Sequence, residues 1–334
     1  MARGRPSSNR RHPRELVPGA KLHPLAQYPF CRRPHIVAAS GRARCIGARE
    51  RRMRPLRAFE KSCDASRHGA GPETVREKIA EDVSVFGVRL SATNLTEASE
   101  LVERSIRERQ KVYICVTDAN ALLAARQDAT LNEIYQNAAL SLPDGMPIVW
   151  LSKLLGKSGV ERVRGTDFMR AVTAMSCGLG LRHFYVGGAP GTAAALSAKL
   201  IAAHPGLKVV GALCPPFREL SAAENLETVE EINSARPDVI WIGLGAPKQE
   251  RWMAANFDRI DAPVMVGVGA AFDFLAGTKP EAPKWLQRSG LEWLFRLACE
   301  PRRLWRRYAI VVPTFLCLSA RELLLRRLMK VQKV

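Results

Sequence analysis

The segment Pro143-Asp144-Gly145 sets a carboxylate between a short apolar run, Leu140 to Leu142, and a helix-like stretch that begins at Pro147. A carboxylate at such a junction can take the proton from an attacking hydroxyl as a general base. Asp is also favoured there as a helix N-cap, so spacing alone leaves both roles open. Two further segments, Phe184 to Gly191 (FYVGGAPG) and Trp241 to Glu250 (WIGLGAPKQE), run from an apolar strand through glycines into a helix start. Gly187, Gly188 and Gly245 would let backbone N–H groups approach a phosphate at a helix N-terminus, although a plain tight turn reads the same way. Lys248 could meet a pyrophosphate and Gln249 could hydrogen-bond a sugar or base, with Glu250 counted beside them as substrate-binding. Lys248 on its own is equally a solvated helix-start residue. In Val266 to Gly277, Asp273 stands among apolar and small residues, either as a ligand contact or as a brace for its turn.

Several chemistries lack their residues. Between 81 and 283 the only histidines are His183, beside a strand, and His204, at a helix end, so a Ser-His-Asp triad has no evident base. No Asp-x-Asp pair occurs in that span; no metal is expected, and Arg and backbone N–H groups would neutralise a nucleotide-sugar pyrophosphate. The glycine turns do not form G-x-G-x-x-G with a downstream acidic partner, which weakens a dinucleotide reading. The eight cysteines include no C-x-x-C pair and read as reduced thiols, Cys115 and Cys214 as small core residues. No cofactor is expected.

The elements that must position these residues alternate. An apolar strand over Val83 to Leu90 precedes a helix opened by Asn94-Leu95-Thr96-Glu97, and Val112 to Val116 precedes a helix over Asn120 to Asn137. Strands at Arg182 to Val186, Lys208 to Ala212, Val239 to Ile242 and Pro263 to Val268 are separated by amphipathic helices. Short apolar strands spaced by helices imply an α/β fold: a Rossmann-like, mostly parallel sheet with helices on both faces. Ligands in such sheets bind beyond the carboxyl ends of the strands, where the glycine turns and Asp144 fall. Residues 284–334 change character to helices with paired arginines, expected over Glu292 to Cys299, Arg302 to Val312 and Thr314 to Leu328. The expected organisation is a basic extension of low order over 1–80, an α/β domain over 81–283 and a helical basic appendage over 284–334.

The net charge of +19 sits at the ends. Residues 1–80 hold 19 Lys/Arg against 6 Asp/Glu and residues 284–334 hold 12 against 3, whereas 81–283 hold 20 against 23. A nucleic-acid enzyme more often carries its basic surface on the folded body, so no nucleic acid is expected as a partner. Anionic lipid fits the flanks better, because Trp285, Trp293, Trp305 and Tyr308 interleave with the appendage arginines. No stretch of about 20 apolar residues is apparent. The best candidate, Tyr308 to Ala320, is short and interrupted by Pro313, so the expectation is a protein lying on a membrane rather than crossing it.

In this order the blocks resemble the WecG/TagA/CpsF family of bacterial glycosyltransferases. The resemblance covers residues 82–310 and is carried by Pro143-Asp144-Gly145-Met146-Pro147, Glu161-Arg162-Val163-Arg164-Gly165-Thr166-Asp167, Gly243 to Glu250, and Gly290-Leu291-Glu292-Trp293 with Arg296, Glu300, Pro301 and Arg302. It implies a metal-independent, inverting transferase at the inner face of the cytoplasmic membrane. The implied donor is a UDP-sugar, first N-acetylmannosamine, with UDP-glucose or another hexose as alternative; the acceptor is an undecaprenyl-diphosphate-linked sugar. By position, Asp144 matches the proposed base, Arg162 a basic residue near the phosphates and Gln249 a polar site residue, while Arg296 and Arg302 are acceptor-diphosphate contacts in the appendage. The family often has Thr-x-Asn before this carboxylate, whereas this chain reads Thr117-Asp118-Ala119-Asn120. Thr117, counted as catalytic, and Asn120, as a sugar or acceptor contact, are carried over on that departure. Self-association is left open. Two readings from other classes compete: a nucleotide-dependent oxidoreductase, argued by the glycine turns, and a non-catalytic membrane or nucleic-acid binding module, argued by the charge.

Overall fold

The structure, a computed structural model, describes residues 81–331, so the expected basic extension over 1–80 lies outside the described residues. The described chain opens with a hairpin, β1 (Glu81–Val85) and β2 (Val88–Ala92), in place of the single strand expected over Val83 to Leu90. Phe86 and Gly87 make its two-residue turn, both at positive φ (55° and 83°), the backbone such hairpins need. Phe86 tolerates this conformation with its ring buried, edge-on to Phe315 at 5.4 Å. Helix α1 (Leu95–Arg107) follows, opened by a capping box between Asn94 and Glu97.

Six parallel strands then form the sheet: β3 (Val112–Thr117), β4 (Leu140–Pro143), β5 (Arg182–Gly187), β6 (Lys208–Leu213), β7 (Val239–Gly243) and β8 (Val264–Gly267), in the order β4-β3-β8-β7-β5-β6. The connections are α2 (Ala119–Gln127), α3 (Ala129–Asn137), α4 (Met146–Leu154), α5 (Gly165–Leu179), α6 (Thr192–Ala203), α7 (Ala222–Ala235) and α8 (Lys248–Asn256). The helix expected over Asn120 to Asn137 is split, because Asp128 leaves helical geometry and caps α3 through the N–H of Leu131 at 3.0 Å.

Alternate residues of each strand feed two apolar layers. Tyr113 and Cys115 of β3 face one with Phe184, Ile240 and Met265; Val112, Ile114 and Val116 face the other with Tyr185, Trp241 and Val266. Burial on both faces is what the continuous apolar strands demand. His183 is a core residue: its Nδ1 accepts from Trp241 Nε1 at 2.9 Å, and burial pushes it down to about 4.

Beyond the sheet come α9 (Ala271–Ala276), α10 (Lys284–Arg288), α11 (Glu292–Cys299) and α12 (Pro301–Val331). The two last helices expected from the sequence are one, continuous through Pro313. Val311 and Phe315 bury in the core of the α/β body and hold it past a proline that costs about 3 kcal/mol in a free helix. This corrects the expectation for the region: Pro301–Leu328 is long and apolar enough to cross a membrane by length and composition, with little of it buried.

Candidate active site

The carboxyl ends of β3 and β4 assemble the first part of the site. The parallel ladder continues one step past β4, the Asp144 N–H donating to the Thr117 carbonyl at 3.0 Å, and the Pro143 carbonyl accepts from the Val163 N–H at 3.0 Å. That pins Asp144 at the strand end and brings the Arg162 to Arg164 segment against it. The cap of α4 is Gly145, with no side-chain hydrogen bond, so the Asp144 carboxylate is not consumed by capping. By contrast Asp118 is spent on a cap, accepting the Ala121 N–H at 2.8 Å. Asp144 lies in a cleft of about 460 Å³ between α4, α10, α11 and α12, with its side chain 34% exposed and therefore reachable.

Two arginines, Arg162 in the cleft wall and Arg164 buried outside its lining, hold the charged groups beside Asp144. Arg162 donates through Nε to the Asp144 carbonyl, through Nη1 to the Gln287 carbonyl at 2.7 Å and through Nη2 to Glu292. The same Nη2 stands 3.7 Å from Asp144 Oδ1. Arg164, almost fully buried, donates to Glu281 and to Gln287 Oε1, both at 2.9 Å, and reaches Glu292 at 3.4 Å. These pairs tie α10 and α11 to the sheet end. Burial against the cleft walls pushes the Asp144 carboxyl up to about 6; Arg162 opposes the rise and Glu292 adds to it. A carboxyl near 6, reachable and beside a fixed cation, is suited to general-base work at neutral pH.

The sequence-derived residues divide by place. Asn120, Asp144, Arg162 and Arg296 line the cleft together. Arg302 does not; it is solvent-exposed on α12, and Arg307, five residues on, lines the cleft instead. That residue was legible only as one of many appendage arginines, since helix phase decides which of them turns inward. Thr117 is fully buried beneath the strand end rather than in the cleft, with its hydroxyl and that of Tyr135 facing each other. Glu250 is likewise fully buried, which corrects its reading as a direct substrate contact. It accepts from Gln249 Nε2 at 2.9 Å, faces the Tyr135 hydroxyl, and is pushed up to about 7 by burial. Gln249 is buried too, packed over the β8 end so closely that a Cβ on Gly267 would stand 3.1 Å from its Nε2.

The glycine turns sit at the same end of the sheet, at β5 and β7. A Cβ on Gly187 would come within 2.6 Å of the Gly243 backbone, and the Gly188 N–H donates to the Gly243 carbonyl at 3.1 Å. Gly245 has positive φ (78°) and open space at its Cβ, so its neighbourhood is free to admit a ligand. Lys248 is turned to the β6–α7 loop, donating to the Phe217 carbonyl at 3.1 Å and the Arg218 carbonyl at 2.9 Å. Asp273 pairs with Lys279 at 2.8 Å and accepts from the Thr278 hydroxyl, which is the bracing role the sequence left open. A larger cavity, of about 660 Å³ beside Lys111, Val112 and Arg251, lies at the amino end of β3, away from all of these residues.

The strand-end carboxylate thus meets the appendage arginines in one cleft, and the glycine turns share its end of the sheet without lining that cleft. A model of the glycosyl transferase WecG/TagA/CpsF family matches residues 83–329. The chain belongs to this family. Among its relatives, the N-acetylglucosaminyldiphosphoundecaprenol N-acetyl-beta-D-mannosaminyltransferase of Bacillus spizizenii is 27% identical over 209 residues, covering 63% of this chain and 79% of the relative. The protein of the same name from Bacillus subtilis is 25% identical over 216 residues, covering 64% and 82%. The chain is a glycosyltransferase, and the oxidoreductase and non-catalytic readings fall away.

Proposed function

We propose that this glycosyltransferase moves a sugar, N-acetylmannosamine first, from its UDP donor onto an N-acetylglucosaminyl-diphosphoundecaprenol acceptor, inverting the anomeric centre. The observation that carries the reading is the Asp144 carboxyl: held at a strand end, free of capping, raised to about 6 and open to a cleft shared with Arg162, Arg296 and Arg307. In the reaction Asp144 takes the proton of the acceptor hydroxyl as that oxygen bonds to the anomeric carbon. The bond from that carbon to the UDP oxygen breaks from the opposite face, and UDP leaves with the electron pair. The turns at Gly187, Gly188 and Gly245, at the same end of the sheet, receive the departing diphosphate, Gly245 offering the open space for it. Arg296 and Arg307 receive the acceptor's diphosphate. The names of the relatives support both the donor sugar and the acceptor. Independence of a metal rests on the missing Asp-x-Asp pair in 81–283. The basic, aromatic appendage supports residence at the cytoplasmic face of the membrane, against anionic lipid.

The test is transfer by the purified protein from radiolabelled UDP-N-acetylmannosamine, UDP-N-acetylglucosamine and UDP-glucose to N-acetylglucosaminyl-diphosphoprenol, with and without chelator. Chelator-resistant transfer from the first donor, giving a product of inverted configuration, is expected. Preference for UDP-glucose would replace the donor assignment, and loss of transfer on chelation would end the metal-free one.

A further inference from the structure

The cleft that holds Asp144 is polar at one end and apolar at the other. Asp144, Arg162, Arg296 and Arg307 gather where α4 begins and α12 is still near its start. The ring of Tyr308 lies 5.6 Å from that of Trp293, whose neighbour Glu292 pairs with Arg162, which fixes this stretch of α12 at the polar end. Helix α4 then leads away from Asp144 to Leu154, and at its far end the Leu155 carbonyl accepts from Arg326 Nη1 at 3.2 Å. The two helices therefore run side by side in the same direction. Between them the lining turns mainly apolar, with Trp150, Leu151 and Leu154 facing Val311, Phe315 and Leu316, and the hydroxyl of Ser319 is bonded back to the Phe315 carbonyl at 2.7 Å. From Arg307 to Leu323 the lining positions recur at four-residue steps, a stripe about 24 Å long at the helical rise of 1.5 Å per residue.

Large apolar side chains here stay open to solvent. Trp150 is 44% exposed, Leu154 69% and Leu316 61%, although all three line a concave wall. A contiguous apolar trough of this kind marks a binding site. We infer that the trough between α4 and α12 is the seat of the acceptor's own prenyl tail, its first isoprene units running from the arginines at the Asp144 end toward Leu154 and Leu323. The order of the lining, carboxylate, then cations, then hydrocarbon, matches the order of a ligand built as sugar hydroxyl, diphosphate and prenyl chain. A phospholipid acyl chain would fill the apolar end but has no reason to present a hydroxyl to Asp144. The inference rests on the proposed acceptor and adds that the enzyme reads its tail as well as its head.

Binding and transfer together test it. Quenching of Trp150 and Trp293 fluorescence reports equilibrium binding of dimethylallyl, geranyl and farnesyl diphosphates without any turnover. A fully buried methylene contributes roughly fourfold in affinity, so even partial burial in the open trough predicts at least tenfold tighter binding of farnesyl than of dimethylallyl diphosphate. In transfer assays, kcat/KM should rise by a similar factor with the same tails on the N-acetylglucosaminyl-diphosphate head. Leu154→Glu and Leu316→Glu should each collapse this long-to-short ratio toward one. Ile310→Glu, exposed on α12 but outside the cleft, should keep it. A flat chain-length dependence in the wild type, or a ratio untouched by the trough variants, overturns the inference. So does a single-chain phospholipid that binds as tightly as farnesyl diphosphate, which would assign the trough to bulk lipid. Chain-length-dependent binding without transfer from any donor would keep the trough and sink the catalytic reading instead.

Discussion

If Asp144 is the base, the rate must follow its ionisation. With the carboxyl at about 6 in the folded enzyme, about one molecule in eleven carries the carboxylate at pH 5 and about ten in eleven at pH 7, so kcat/KM should rise about tenfold across that interval. A carboxyl at its ordinary 3.8 would already be ionised at pH 5, and the same interval would change the rate by less than about a tenth. The assay is initial-rate transfer at sub-saturating acceptor between pH 4.5 and 8, with circular dichroism at each pH to show that the fold persists. Asp144→Asn should fall by roughly a hundredfold or more and lose the inflection, which separates titration of the enzyme from titration of the UDP phosphates. Glu292→Gln removes a neighbouring negative charge that raises Asp144 and should move the inflection to lower pH. A wild-type profile flat from pH 5 to 7, or an inflection surviving in Asp144→Asn, would refute the assignment of the base.

Two further outcomes concern stability. Glu250 is raised from 4.5 to about 7 by burial, so the folded state holds a proton that the unfolded chain releases, and stability is lost as pH rises from about 4.5 through about 7. Glu250→Gln removes that loss: relative to wild type, urea unfolding should show it gaining about 3 kcal/mol between pH 4.5 and pH 8, and a constant difference would show that Glu250 does not titrate there. Arg164→Ala should cost on the order of 1–3 kcal/mol in the same assay, because it removes the buried hydrogen bonds to Glu281 and Gln287, while Glu281 keeps Arg170 and Glu292 keeps Arg162. Arg164→Lys, which keeps the charge but not the fork that spans Glu281, Gln287 and Glu292, should fall between that variant and wild type.

Asp118 and Asp144 show where local reading stops. Both stand between a strand and a helix, and the sequence offered an N-cap role at Asp144 alone. Asp118 caps α2, whereas at Asp144 the helix starts one residue later behind Gly145, leaving the carboxylate to the cleft. Pro147 at the second helical position has no N–H for a capping side chain to bond. Glu250 misled for a related reason: the helix start at Lys248-Gln249-Glu250 reads as a polar ligand surface. The packing of α8 against β3 and α3 instead turns Gln249 and Glu250 inward while Lys248 stays near the surface.

The alternation of apolar strands and amphipathic helices, the glycine turns and the strand-end position of Asp144 were determined by the sequence, because they follow from hydrophobic period and from residue types that act on their immediate neighbours. The course of α12 through Pro313, the choice of Arg307 over Arg302, the burial of Thr117 and Glu250, and the trough beside α4 were decided only by the tertiary structure. Each depends on which side of a helix meets a surface far away in the chain, and a few residues of local sequence cannot contain that contact energy.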